Sequence, residues 1–362
     1  MSTDQNSVSR SFGLSVDQSA ERSTDRHNSP SAIDRRPSTF IRSLPKAELH
    51  LHLEGSIGPD ELGELIVLHG GGPVDRERLA LLYQHKDFTA FLDAFKRVTS
   101  WLRTPEDYEL ITYRLMQKLK AENVLHAEVY VSVGVIQFRN RDFDAIFEGL
   151  ERGRQRGERD FGVSLYWIFD AVRHFGVEAA EHVFNKAIDL RDRNVIGIGI
   201  GGDERLAAPE LFRDLYARAR DHGLHLTAHA GESSGPRSIL GALDALQAER
   251  IGHGLTACQD CELMARLAQT QVPIEICLTS NLRTGCCKAA ERHPLKTYYD
   301  LGLMVTLNTD DPAMFETSMC REYQLAQQTF GFTDVQLREL AMNSFRASFL
   351  PEARKRELLM KF

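Results

Sequence analysis

The stretch KAELHLHLEGS, residues Lys46–Ser56, places two histidines two positions apart in an apolar run. Side chains two apart on a strand point to the same face, so His50 and His52 would reach toward one point if this run is a strand. A single buried histidine is usually a hydrogen-bonded core residue, and one such pair among 13 histidines can arise by chance. Two imidazoles on one face therefore need a shared reason, which the rest of the chain has to supply.

From Leu44 onward, short β-like runs alternate with longer helical patterns such as Phe88–Leu102. The eight runs are Ala47–Glu54, His126–Ser132, Ser164–Val172, Val195–Gly202, His225–Glu232, Arg250–Gly254, Ile274–Ser280 and Met304–Asp311. This alternation predicts an α/β fold, a parallel (β/α)8 barrel of the TIM type. We favour it over an open doubly wound sheet because polar residues cluster at the C-terminal ends of the runs, where barrel enzymes keep their sites. The long connection from the first run to the second predicts extra helices there.

Composition separates the chain into two parts and excludes some classes of partner. Residues 1–43 are polar and lack periodicity, which predicts a disordered tail before a single barrel domain at 44–362. A net charge of −7 without a long basic run argues against nucleic-acid binding, and no apolar stretch approaches a membrane span. Six cysteines in the last third favour reduced thiols and a cytoplasmic location. The sequence indicates no oligomeric state.

Three later segments carry further polar residues at the ends of runs. TAHAGE, residues 227–232, offers His229 as a nitrogen ligand and Glu232 as an acid. RIGHG, residues 250–254, places His253 between two glycines. LNTDDP, residues 307–312, ends the eighth run with Asp310 and Asp311. Each segment alone has a simpler explanation: a helix-capping acid, a loop histidine, or an Asp-Asp-Pro helix start.

Taken together, the segments indicate a metal site. Three histidines and one aspartate form a nitrogen-rich set suited to zinc, with a water in the open position. Zinc lowers the pKa of such a water toward ~7 and so generates a nucleophile at neutral pH. Glu232, His253 and Asp311 remain as acid–base groups around that water. The two histidines of the first strand are then half of the metal site.

The ordered set PKAELHLHLEGS, GGDE, TAHAGE, RIGHG and LNTDDP resembles the adenosine and adenine deaminase family of the amidohydrolase superfamily. The resemblance runs from about Leu44 to the end of the chain. It implies one zinc ion per chain, held by His50, His52, His229 and Asp310. The fourth run also lacks the lysine that bridges two metals in binuclear amidohydrolases, which favours a single metal.

The resemblance also implies the roles of the other residues. Glu232 would protonate the purine ring nitrogen N1, while His253 and Asp311 would orient and deprotonate the attacking water. The Gly202 backbone and Asp311 would bind the purine ring, and His52 and Glu54 are the other expected contacts with the substrate. Hydroxide would add at C6 of the 6-aminopurine, and ammonia would leave.

One residue departs from the usual adenosine deaminase pattern. Glu54 stands where those enzymes have the aspartate that contacts the ribose, and HAGESSGPRS, residues 229–238, looks most like the aminodeoxyfutalosine branch. We therefore expect a small purine substrate that is a nucleoside, aminodeoxyfutalosine or adenosine. The alternatives are an adenine deaminase acting on the free base, a different mononuclear amidohydrolase, or a catalytically silent metal-binding protein.

A second deaminase pattern is present only in fragments. His126-Ala127-Glu128 and the Cys258–Cys261 pair match the H-x-E and C-x-x-C parts of the cytidine-type deaminases. Ala257 replaces the expected proline, and the two segments are predicted to be a barrel strand and a helix after another strand. We interpret the match as coincidence.

Overall fold

The computed structural model describes residues 37–84 and 88–362. Its strands are β1 Lys46–His52, β2 Val124–Val131, β3 Ser164–Val172, β4 Val195–Gly201, β5 His225–Ala230, β6 Arg250–His253, β7 Ile274–Ile276 and β8 Val305–Leu307. Consecutive strands pair in parallel in chain order. Asp310, just past β8, makes a parallel bridge to Leu51 of β1 and brings the first and last strands together. The predicted (β/α)8 barrel is confirmed.

Helices fill the connections between the strands. They are α1 Thr39–Ser43, α2 Pro59–Leu68, α3 Arg76–Ala80, α4 Phe88–Thr99, α5 Pro105–Ala121, α6 Val133–Phe138, α7 Phe143–Phe161, α8 Val177–Asp189, α9 Arg213–Asp221, α10 Pro236–Asp244, α11 Cys261–Thr270, α12 Leu278–Arg283, α13 Leu295–Asp300, α14 Met319–Phe330, α15 Asp334–Ala347 and α16 Glu352–Leu359. The connection from β1 to β2 holds α2 to α5, so the predicted extra helices are present. Phe91 of α4 stacks on Phe315 at 5.0 Å, which places this segment against the loop after β8.

The structure describes only the last part of the predicted tail. Residues 1–36 lie outside the described residues, whereas α1 occupies the final five residues of the predicted tail. Its Ile41 is fully buried, and the buried Lys46 donates from Nζ to the Ile41 and Leu44 carbonyls at 2.7 and 2.8 Å. One apolar side chain and one ammonium group therefore hold this turn, which the sequence assigned to the tail, on the barrel.

Several strands end earlier than the predicted runs. β1 stops at His52, β5 at Ala230 and β8 at Leu307. Glu54, Glu232 and Asp311 consequently lie in the loops that follow these strands, and Glu54 begins a single 3-10 turn, Glu54–Ser56. The chain leaves the strand conformation once its pairing ends, and the polar residues that extended the runs belong to the rim of the barrel.

The remaining sequence features have simple positions. His126 and Glu128 lie on β2, whereas Cys258 and Cys261 are exposed in a 3-10 turn and at the start of α11. The six cysteines are all free. Within residues 37–84 and 88–362, no helix is both long enough and apolar enough to cross a bilayer.

Candidate active site

Four buried side chains meet at the C-terminal end of the barrel. One donor atom from each lies within 4.8 Å of the others, in the group His50, His229, His253 and Asp310. The set predicted from the sequence had His52 in place of His253. His52 nevertheless borders the same group, since its Nε2 lies 3.2 Å from His229 Nε2 and 3.4 Å from Asp310 Oδ1. The structure therefore brings all four predicted ligands together and adds a fifth candidate.

The donor set fits a metal ion such as zinc. Tetrahedral zinc with bonds of ~2.1 Å would hold neighbouring donor atoms ~3.4 Å apart. The distances from His52 Nε2 to His229 Nε2 and Asp310 Oδ1 are close to this value. His50 Nε2 is buried without an aligned hydrogen-bond partner in the described chain, and Asp310 Oδ1 is 3.5 Å from it. Imidazole nitrogens with one carboxylate are ligands that zinc accepts readily.

Backbone bonds between β1 and the loop after β8 fix three of these donors. The Asp310 amide donates to the His50 carbonyl at 3.0 Å, and the His52 amide donates to the Asp310 carbonyl at 2.8 Å.

Asp310 and His253 both have φ of 65°, in the left-handed region that is unfavourable for residues with a side chain. Such strain persists where the surrounding structure fixes it and is concentrated at functional sites.

Glu275 of β7 orients His50 from behind. Its Oε2 lies 2.8 Å from His50 Nδ1, so that nitrogen carries the proton and Nε2 is left for a metal. Arg250 Nε lies 2.6 Å from Glu275 Oε1 and forms an ion pair with it, although the angles are not those of a hydrogen bond. Arg250 also forms an ion pair with Glu128. Sequence reasoning missed Glu275, although a charged residue inside an apolar strand signals a buried partner.

Burial and neighbouring charges set the protonation of the three histidines differently. Burial lowers the pKa of His52 to about 4 and holds the pKa of His229 well below its usual range. Burial also opposes the charged form of His50, but hydrogen bonds and charges from Asp310 and Glu275 outweigh it and raise its pKa to about 10. A metal at this site would therefore displace a proton from His50.

Glu232 and His253 form a second, adjacent pair. Glu232 Oε2 lies 3.7 Å from His253 Nε2. Burial raises the pKa of Glu232. A carboxylic acid with a raised pKa can hold a proton near neutral pH and release it to a substrate. Glu232 borders an open cavity of about 430 Å³ whose polar lining includes Ser233, Thr256 and Cys286.

Glu204, the last residue of GGDE, holds the loop that carries Glu232. Its carboxylate accepts from the consecutive backbone amides of Gly231, Glu232 and Ser233 at 2.7, 2.8 and 2.8 Å. The Ser238 hydroxyl also donates to it. Three amides pointing at one buried carboxylate fix this turn, so the position of Glu232 depends on Glu204.

Asp311 packs directly on the turn after β1. Burial and the neighbouring charge of Asp310 hold the pKa of Asp311 well above its usual range. A Cβ added to Gly55 would lie 2.6 Å from Asp311 Cβ and would overlap the carboxylate. Only glycine leaves room for Asp311 at this position.

We expect Gly55→Ala to lower kcat/KM by ~100-fold, because a shift of about 1 Å in an acid–base group can cost that much. Steady-state kinetics together with metal analysis would measure it. Gly63→Ala is the matched control, since its added Cβ would sit 3.6 Å from Leu79 Cδ1, an ordinary contact. Equal kinetics for the two variants would contradict the placement of Asp311 in the site.

Glu54 and Gly202, the other two residues predicted to contact the substrate, lie just past the C-terminal ends of β1 and β4. Glu54 Oε1 accepts from the Ser132 amide at 3.0 Å, its Oε2 has no partner in the described chain, and burial raises its pKa to about 7. Gly202 is exposed with φ of 87°, and a Cβ there would meet His174 Nδ1 at 2.8 Å. Its backbone is therefore accessible to solvent directly after β4.

A parallel eight-stranded barrel with imidazoles and carboxylates at its C-terminal rim defines a hydrolase of the amidohydrolase type. Residues 45–362 match the family profile described as adenosine deaminase, and the chain belongs to the adenosine deaminase family. It is accordingly a deaminase, a hydrolase acting on C–N bonds.

Relatives of known identity agree with this assignment. The chain is 38% identical over 322 residues to the aminodeoxyfutalosine deaminase of Streptomyces coelicolor, covering 88% of this chain and 83% of that protein. The crystal structure of adenine deaminase from Arthrobacter aurescens superposes with a TM-score of 0.83 at 32% identity, over 88% of this chain and 98% of that one. A COG1816 amidohydrolase from Burkhoderia ambifaria with bound Zn gives a TM-score of 0.81 at 28% identity, over 89% and 90% of the two chains.

Proposed function

We propose that the protein catalyses zinc-dependent hydrolytic deamination of a 6-aminopurine nucleoside, with aminodeoxyfutalosine as its substrate. The observation that carries the reaction is the contact of Glu232 with His253 at the edge of a cluster of imidazoles and one carboxylate. Water replaces the amino group at C6, and ammonia leaves. The structural relative that was crystallised with zinc supports the choice of metal.

His50, His52, His229 and Asp310 would hold the zinc. His52 is favoured over His253 as the third imidazole ligand, because His253 is already bonded to Asn281 through Nδ1. A bound zinc would supply Lewis acidity at the position of the attacking water. Only one ion is expected, since the donors converge on a single point.

Glu232, His253 and Asp311 would handle the protons. Glu232 would give its proton to ring nitrogen N1, which makes C6 more electrophilic. His253 would hold the attacking water by a hydrogen bond, and Asp311 would accept a proton from it. The exposed Gly202 backbone and the free oxygen of Glu54 would contact the rest of the substrate.

The choice of nucleoside rests on two observations. Identity to the Streptomyces coelicolor aminodeoxyfutalosine deaminase is 38% over 322 residues. Glu54 is also one methylene longer than aspartate, and Ser132 already occupies one of its oxygens, so a ribose hydroxyl at the usual distance would be crowded. A substrate altered on the 5′ side of the ribose would avoid this conflict.

Deamination of free adenine is the second candidate. A free base carries a ring N–H where a nucleoside carries its sugar, and the buried, unpartnered Glu54 Oε2 could accept from it. The 32% identity to the Arthrobacter aurescens adenine deaminase also favours free adenine as the substrate.

We expect kcat/KM for aminodeoxyfutalosine to exceed that for adenine by at least ~10-fold, an effect that a few pocket contacts can produce. Ammonia release from aminodeoxyfutalosine, adenosine and adenine would measure it. Turnover of adenine with none on either nucleoside would overturn the substrate and leave the reaction standing. No ammonia from any 6-aminopurine would overturn the reaction itself.

A further inference from the structure

A chain of buried hydrogen bonds leads to His253 from the side opposite Glu232. It begins at the backbone amide of Leu295, the first residue of α13, which donates to His293 Nδ1 at 3.1 Å. His293 Nε2 lies 3.1 Å from Asn281 Oδ1, and Asn281 Nδ2 lies 3.2 Å from His253 Nδ1. His293, Asn281 and His253 are 4%, 0% and 1% exposed, so water does not compete for these bonds.

The direction of every bond in this chain follows from its first donor. A backbone amide can only donate, so His293 Nδ1 must be the acceptor, and the proton of this ring is on Nε2. That proton is donated to the Asn281 oxygen, which turns the Asn281 NH2 group toward His253. His253 Nδ1 must then accept, and a neutral His253 carries its proton on Nε2. Reversing any one bond would place two donors or two acceptors face to face.

The other imidazoles of the site have different partners. His50 donates from Nδ1 to Glu275, which leaves Nε2 as the nitrogen that can bind a metal once the metal displaces its proton. His253 has the opposite arrangement, because its Nδ1 faces a donor. Its Nε2 can therefore donate toward Glu232 and the reacting water, but cannot bind a metal without breaking the chain.

We propose that His293 and Asn281 are positioning residues that fix the tautomer of His253, keeping it as a hydrogen-bond donor and out of the metal coordination. The inference rests on the proposed function for its kinetic consequence alone. The tautomer is a property of the folded chain and can be measured by itself.

Asn281→Asp is the decisive variant. Aspartate has nearly the same shape as asparagine, and it can accept from both neighbouring imidazoles, so the packing is kept while the direction of the last bond is reversed. We expect His253 Nδ1 to bear no proton in the wild type and to gain one in Asn281→Asp. Nitrogen NMR of protein with ¹⁵N-labelled histidine would show this, and His253→Gln would assign the signal. We also expect kcat to fall by ~100-fold at unchanged zinc content, a typical contribution of a placed proton donor.

His293 is tested by a pair of variants. His293→Leu removes the donor to Asn281 and should lower kcat, whereas His293→Gln can still accept from Leu295 and donate to Asn281 and should restore most of it. His69→Leu is the matched control, because His69 is bonded to Asp107 at 2.9 Å, away from this chain. It should change neither kcat nor the His253 signal.

A proton on His253 Nδ1 in the wild type, or none there in Asn281→Asp, would overturn the inference. So would wild-type kcat in Asn281→Asp. A wild-type protein without deaminase activity would overturn the proposed function instead, and the NMR comparison would still decide the tautomer.

Discussion

Replacing Glu232 with glutamine should lower kcat by ~10³-fold while leaving the fold and the bound metal unchanged, since general acid catalysis is worth 10²–10⁴-fold. Glutamine keeps the size and the polarity of the side chain but has no acidic proton to give to a ring nitrogen. The loop should keep its shape because Glu204 holds it by backbone amides, which the substitution does not touch. Steady-state kinetics and metal analysis of the purified variant would measure both.

The pH dependence gives a second readout of the same residue. Burial raises the pKa of Glu232, and the acid is active only when protonated. The wild-type rate should therefore decline as the pH rises through that pKa, and this decline should be absent from Glu232→Gln. Glu249→Gln is the matched control, because Glu249 pairs with His225 at the opposite end of β5. A Glu232→Gln rate within tenfold of the wild type would remove Glu232 from its role.

Removing the metal should abolish turnover, and adding one equivalent of zinc per chain should restore it. His50, His52, His229 and Asp310 would serve a single ion, since their donor atoms lie close together, and none of these side chains supplies the Lewis acidity of a metal. Chelation followed by elemental analysis and ammonia assays would follow the loss and the recovery.

The stoichiometry distinguishes this site from a binuclear one. Fully active enzyme with two metals per chain would contradict the single-ion interpretation, and a metal-free protein with wild-type turnover would contradict the metal requirement. His50→Ala should lose the ion along with the activity. His126→Ala is the control, since His126 is an equally buried histidine on β2 that contacts Ser164 and Glu128.

The positions of the strands were predictable because the pattern is repeated and local. Each of the eight apolar runs overlaps its strand, although β1 and β2 begin one and two residues before the predicted runs. The alternation of such runs with helices is sufficient for the topology of a parallel barrel. The ends were not predictable to the residue. Glu54 is a polar residue directly after the apolar Leu53, so the apolar–polar alternation alone extends the first run into the loop that carries the site.

The site was predictable where its residues belong to short segments such as TAHAGE or LNTDDP. Glu275, Asn281 and His293 were missed because only the fold brings them to their partners. Glu275 contacts His50, Asn281 contacts His253, and His293 contacts Asn281. A buried charge on a strand gives a hint of such pairing, and Glu275 carries that hint. Asn281 and His293 do not, since a polar residue on a helix or before a proline is unremarkable. Ile41 was missed because one buried side chain in a polar tail leaves no periodicity.

The bonds between β1 and the loop after β8 have a consequence for how the chain folds. The His50 amide donates to Asn308 Oδ1 across 258 positions of sequence, so closing the barrel between β1 and β8 brings the two ends of the domain together. Contacts of such long range form late and slowly. An ion held by His50 and Asp310 would lie where the barrel closes and would link β1 to the loop after β8. Loss of the ion would then loosen β1 and β8 before β3 and β4, and amide hydrogen exchange of the metal-free protein would show it strand by strand.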